Sequence, residues 1–112
     1  MYSKELLKGT LSAIILKLLA ENEKMYGYEI SQHVKLLTDG KIHLKDGSLY
    51  PALQKMTADG LLTFKEEYVG NRVRKYYMLT KKGKTETVAY LAELKDFMAT
   101  LNKIVFPQMK TT

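Results

Sequence analysis

Gly47-Ser48-Leu49-Tyr50-Pro51-Ala52-Leu53-Gln54-Lys55-Met56, running on to Asp59-Gly60-Leu61-Leu62, is the stretch on which the fold turns. Leu49, Leu53 and Met56 recur at steps of four and three, so they share one face of a helix. Ser48, Tyr50, Gln54 and Lys55 point the other way. Asp46-Gly47-Ser48 supplies a turn and an N-cap, and Pro51 is placed by this reading in a first turn that has no use for its missing N–H. Gly60 stops the helix, and Leu61 to Tyr68 reads as a strand that follows directly.

Working outward from that helix, the next turn is Val69-Gly70-Asn71-Arg72, the tip of a hairpin. The returning strand is Val73-Arg74-Lys75-Tyr76-Tyr77-Met78-Leu79, rich in aromatic and branched residues. Upstream, Ile42 and Leu44 alternate with Lys41, His43 and Lys45, which predicts a very short strand. Before it, Met25-Tyr26-Gly27-Tyr28-Glu29-Ile30 opens a helix that closes at Asp39-Gly40, with Tyr28, Ile30, Val34 and Leu37 as its buried or half-buried positions. The first helix is predicted from Lys4 to Ala20, its broad apolar face made by Leu6, Leu7, Leu11, Ile14, Ile15, Leu18 and Leu19. A last helix runs from about Thr85 to Val105, with Thr80 as a candidate cap a few residues upstream. Its seam is Leu91, Leu94, Met98, Leu101 and Val105, flanked by Phe97 and Ile104. Lys110-Thr111-Thr112 is expected to fray.

The order is α-α-β-α-β-β-α, an α+β but mostly helical chain. Helix, helix, turn, helix and hairpin make a winged helix-turn-helix over residues 1–83, followed by a long terminal helix and tail over 84–112. In that architecture the third helix enters a DNA major groove and the hairpin lies along phosphate or in the minor groove. Arg72, Arg74 and Lys75 at the hairpin are suited to phosphate oxygens. On the helix, Gln54 can pair with an adenine edge, while Ser48, Tyr50 and Lys55 more often hold phosphate.

Composition agrees. The 112 residues carry a net charge of +6, with 46% hydrophobic and 27% charged side chains, which fits one folded domain. Residues 1–40 and 85–112 are each neutral. Residues 41–84 hold ten basic side chains against four acidic ones, so the whole excess of +6 lies in the middle third. A concentrated basic surface on a small domain marks a polyanion partner. With no cysteine, disulfides and thiolate zinc sites are excluded, which fits a reducing cytoplasm. No apolar run reaches 18 residues, and Lys8 and Lys17 interrupt the first helix, so neither a membrane span nor a secretory leader is expected.

Enzyme chemistry finds no support. His33 and His43 are the only histidines, and neither has metal-ligand or triad spacing. Glu66 and Glu67 are adjacent on a strand and face opposite ways, so they cannot act as a joint acid–base pair. No metal or cofactor is expected. The competing class is a winged helix that binds an acidic protein, which salt-dependent binding to duplex DNA would separate from a DNA reader.

Leu6-Leu7-Lys8-Gly9-Thr10-Leu11, Tyr26-Gly27-Tyr28-Glu29-Ile30, Gly47-Ser48-Leu49-Tyr50-Pro51-Ala52-Leu53, Asp59-Gly60-Leu61 and Arg74-Lys75-Tyr76-Tyr77-Met78-Leu79-Thr80-Lys81-Lys82-Gly83 together resemble the PadR-type transcriptional regulators. The resemblance covers residues 6 to 83. It implies a cytoplasmic homodimeric repressor that releases double-stranded DNA when a small aromatic or drug-like effector binds. It puts Tyr28, Ser48, Tyr50, Arg74 and Lys75 near DNA. The single terminal helix resembles the short branch of the family, in which that helix makes most of the dimer interface. Leu7, Leu11, Leu91, Leu94, Phe97, Met98, Leu101, Ile104 and Val105 are the expected interface, and Leu94 and Phe97 the expected effector contacts. Two features depart from the family pattern: Val73 stands where a proline or glycine often precedes the Arg-Lys pair, and the chain has no tryptophan to stack on a planar ligand.

Overall fold

The computed structural model describes residues 2–107. Five helices and one hairpin follow in the order α1 (Lys4–Lys8), α2 (Leu11–Glu21), α3 (Gly27–Leu37), α4 (Asp46–Ala58), β1 (Leu62–Val69), β2 (Arg72–Leu79) and α5 (Lys81–Val105). The winged helix-turn-helix is there, with the long helix behind it. The tail at Lys110-Thr111-Thr112 lies outside the described residues.

One core holds the fold together. Ile15 and Leu16 of α2, Ile30 of α3, Leu49 and Leu53 of α4 and Leu62 of β1 have essentially no solvent exposure. Helix α2 is apolar on most of its circumference, which suits it to the middle, where it touches α4, β2 and α5. Tyr77 and Leu79 of β2 close the core from the hairpin side.

Four boundaries differ from the sequence reading, each for a physical reason. The first helix is two helices. Gly9 and Thr10 interrupt it, and the Thr10 hydroxyl bonds back to the carbonyls of Leu6 and Leu7. That is a local bond that competes with helix continuation. The apolar spacing runs straight across the break, so periodicity alone cannot see it.

The short strand at Ile42–Leu44 is absent. Residues 42–45 form no regular element, with Leu44 buried and its carbonyl accepting from the Ser31 hydroxyl at 3.3 Å. The free edge of β2 is already occupied: Met25 and Tyr77 exchange backbone hydrogen bonds of 3.1 and 2.9 Å. Alternation correctly found the faces of residues 41–45 but not the lack of a partner.

Helix α4 starts at Asp46, with Lys45 as its N-cap, rather than being capped by Ser48. Pro51 therefore sits inside the helix, and the exposed Gly47 carbonyl loses its usual donor. Helix α5 starts at Lys81, about four residues before the expected position, because Thr80 caps it through the Gly83 N–H at 2.9 Å. In α3, Ile30 and Val34 are buried as expected, whereas Tyr28 and Leu37 are 62% and 67% exposed.

The hairpin is regular. Leu62 pairs with Leu79 and Val69 with Arg72, leaving a two-residue loop, Gly70-Asn71. Gly70 has φ +64° and Asn71 is not left-handed, the pattern of a II′ turn with glycine first. Val73 thus sits in the ladder opposite Tyr68, and the absence of a proline or glycine there does not disturb the tip.

The end of α4, the hairpin and the start of α5 meet at one joint. Gly60 (φ +81°) ends α4 with Leu61 N–H bonded to the Met56 carbonyl at 3.0 Å, closing a Schellman-type turn. The Thr80 hydroxyl donates to the Gly60 and Leu61 carbonyls at 2.6 and 3.1 Å, and Lys82 Nζ donates to the Asp59 carbonyl at 3.0 Å. Gly83 is buried against Leu61 so closely that a methyl group there would collide with the Leu61 carbonyl oxygen.

Beyond that joint α5 leaves the domain. Gly83 and Thr87 are its only buried residues among those described, and Tyr90, Leu91 and Leu94 are half-buried. From Lys95 to its end every residue is exposed, with Phe97 57%, Met98 60%, Leu101 42%, Ile104 73% and Val105 51% accessible. Leu7 is half-buried, and Leu11 is half-buried against the chain's own core.

Candidate nucleic-acid interface

Helix α4 and the hairpin enclose a groove of about 400 Å³, lined by Tyr50 and Gln54 from α4, Tyr26 and Gly27 from the start of α3, and Glu66, Val73, Arg74, Lys75 and Tyr77 from the hairpin. A second depression adjoins it, lined by Tyr26, Tyr28, Arg72, Val73 and Arg74. Tyr26, Val73 and Arg74 belong to both. Six of the eight expected nucleic-acid contacts therefore gather on one continuous surface: Tyr28, Tyr50, Gln54, Arg72, Arg74 and Lys75.

The other two, Ser48 and Lys55, stand apart. At about 100° per residue, Tyr50 and Gln54 fall on the flank of α4 toward the hairpin. Ser48 and Lys55 fall on the opposite flank, with Pro51 and Ala58 between the two pairs. Lys55 is 77% exposed in its side chain and reaches Asp59 at 3.1 Å, one turn along the helix. Such an exposed pair is weak and easily exchanged for another partner.

Two cations of the hairpin are held over aromatic rings. The Arg74 guanidinium lies 4.3 Å from the centre of the Tyr26 ring, and Lys75 Nζ lies 4.7 Å from that of Phe64. Tyr26 packs edge-on against Tyr76 with centroids 5.4 Å apart, and Lys24 Nζ sits 4.7 Å from the Tyr76 ring. Cation–π attraction fixes where these charges stand without neutralising them. Lys24 is also bonded to Glu67 on β1, which raises the lysine pKa and lowers that of the carboxyl. The hairpin is thereby tied to the loop before α3.

Tyr50 packs against the fold while keeping part of its side chain accessible. The residue is 38% exposed, yet its ring lies over the backbone of Gly27. Burial first, and the Asp46 charge second, push its phenol pKa up, as burial does for Tyr77. Both phenols therefore stay protonated at neutral pH, and Tyr50 presents a hydrogen-bond donor to the groove.

Sequence reasoning missed Tyr26, Gly27, Glu66, Val73 and Tyr77 as groove residues. The available signal was the Tyr-Gly-Tyr run at a helix start, which puts a side-chain-free position between two rings. The grooves include neither Leu94 nor Phe97, the expected effector contacts.

Residues 15–89 match the sequence pattern of the Transcriptional regulator PadR-like family. The chain belongs to that family. Its function is thus transcriptional regulation rather than enzyme catalysis. An uncharacterised protein of Lysinibacillus sphaericus is 34% identical over 109 residues, covering 94% of this chain and 93% of its own. The negative transcriptional regulator PadR of Bacillus subtilis is 36% identical over 73 residues, which cover 64% of this chain but only 40% of that longer protein. Among solved structures, a transcriptional regulator from Clostridium thermocellum superposes with a TM-score of 0.84 at 28% identity, covering 91% of this chain and 99% of its own. Bacillus subtilis PadR in complex with operator DNA superposes with a TM-score of 0.66 at 32% identity, covering 73% of this chain and 47% of its own. The likeness to Bacillus subtilis PadR thus spans about half of that protein, whereas the C. thermocellum regulator is matched over nearly its whole length.

Proposed function

We propose that this PadR-family regulator is a homodimeric repressor that binds an inverted-repeat operator in double-stranded DNA and responds to a small effector. The observation that carries the DNA reading is the convergence of Tyr28, Arg72 and Arg74 with Tyr50, Gln54 and Lys75 on the surface between α4 and the hairpin. All of these but Tyr28 lie in residues 41–84, the third of the chain that holds the entire net charge. Helix α4 reads base edges with Gln54, Pro51 offers only apolar contact, and Tyr28, Tyr50 and the hairpin cations hold phosphate. The operator complex of Bacillus subtilis PadR and that protein's description as a negative regulator support the same assignment.

The second copy is argued from α5. Phe97, Met98, Leu101, Ile104 and Val105 form an apolar face that none of the described residues covers, larger than isolated surface residues would explain. Two chains joined there by two-fold symmetry place two α4 helices for successive half-sites of an inverted repeat. An effector that prefers one spacing of the two helices would switch DNA binding.

The test is the salt dependence of duplex binding. Log affinity should fall steeply and linearly with log salt, with a slope of about 0.9 per phosphate neutralised. Arg74→Ala removes one contact per protomer, so the slope of the dimer should flatten by about two units. A slope unchanged by Arg74→Ala and Lys75→Ala together would take the hairpin off DNA.

A further inference from the structure

Gly27 is the first residue of α3, buried, and without the left-handed backbone that would call for glycine. In such a position alanine normally serves the helix better. What glycine provides here is room. A methyl group at position 27 would lie 2.6 Å from both Cε1 and Oη of Tyr50, inside any tolerable contact. The atoms in the way are the far end of a side chain, not backbone. The collision is therefore relieved by swinging the Tyr50 ring away, with the core residues Leu49 and Leu53 left in place.

We infer that Gly27 is a positioning residue for DNA recognition: its bare backbone is the seat that holds the Tyr50 phenol in the groove between α4 and the hairpin. Gly27 itself need touch no DNA. It sets the orientation of a donor that belongs to another helix, and so links the angle between α3 and α4 to the DNA face. The neighbouring Tyr26 lies under Arg74 at 4.3 Å, so two consecutive residues support one contact from each side of the groove. The inference rests on the DNA-binding reading given above.

A double-mutant cycle tests it, with Gly27→Ala, Tyr50→Leu and the double variant bound to a duplex selected by the unmodified protein from random sequence. Gly27→Ala should weaken binding by at least about tenfold, the loss expected when a hydrogen bond to a charged group is removed, and Tyr50→Leu by a similar factor. The double variant should bind no more weakly than Tyr50→Leu alone. Unfolding by urea should show that Gly27→Ala remains folded. If it does not, the Tyr50→Leu background vacates the space over position 27, and Gly27→Ala must then leave that variant's affinity unchanged. An equal loss from Gly27→Ala in both backgrounds overturns the inference, as does wild-type affinity in Gly27→Ala. No salt-dependent duplex binding by the unmodified protein would sink the proposed function instead, a result distinct from either.

Discussion

Glu67 shows how much a single half-buried carboxylate can organise. It faces Lys24 across the gap between the hairpin and the loop before α3, and Lys65 approaches it at 3.8 Å. The bond to Lys24 holds its pKa below the ordinary carboxylate range. A group whose folded pKa is depressed stabilises the fold above its unfolded pKa, about 4.3 for Glu, and loses that contribution as pH falls through the folded value. Glu67→Gln should therefore remove part of the loss in stability between about pH 5 and the folded pKa, while changing little at lower pH. Urea unfolding across that range checks it, and an acid limb identical to the unmodified protein's would refute it. A second residue prediction concerns Tyr26. Tyr26→Ala should weaken duplex binding several-fold in the unmodified protein and hardly at all in an Arg74→Ala background, because the ring acts through the guanidinium it supports.

At the scale of elements, the joint of α4, β1, β2 and α5 is where packing is least forgiving. Gly83→Ala sets a methyl group against backbone, the Leu61 carbonyl, so something in the joint must shift. Overpacking of this kind costs about 1–3 kcal/mol or more, which should appear as a lowered urea midpoint with an unchanged slope. A midpoint equal to that of the unmodified protein would mean that the joint gives more readily than its geometry implies. The same joint marks the limit of what the residues disclose in advance. Leu49, Leu53 and Met56 announced the buried face of α4 because burial leaves a periodic trace. The Gly9-Thr10 break and the early start of α5 depend on side-chain hydrogen bonds that span three or four residues, and the missing partner of Ile42–Leu44 on which sheet edge is already occupied. Neither leaves a period. The candidate interface divides likewise: its cations and Tyr50 were legible as residue types, whereas Gly27 became visible only once α3 and α4 were packed.

The molecule as a whole extends 57 Å in its longest dimension, because the far half of α5 stands clear of the domain. Leu101→Glu combined with Ile104→Glu should yield a folded monomer in light scattering, since neither side chain contributes to the core. Loss of the second half-site should then weaken binding to an inverted repeat far more than binding to a single half-site. A variant that still sediments with twice the mass of one chain would move the interface elsewhere. The joint at Thr80 and Gly83 also makes α5 a stiff lever arm. Its 25 residues span about 37 Å, and a tilt of about 5° at one end displaces the other by about 3 Å, close to the rise of one base step. An effector wedged where two such arms cross would need only a slight change of angle to put the two reading heads out of register with their half-sites.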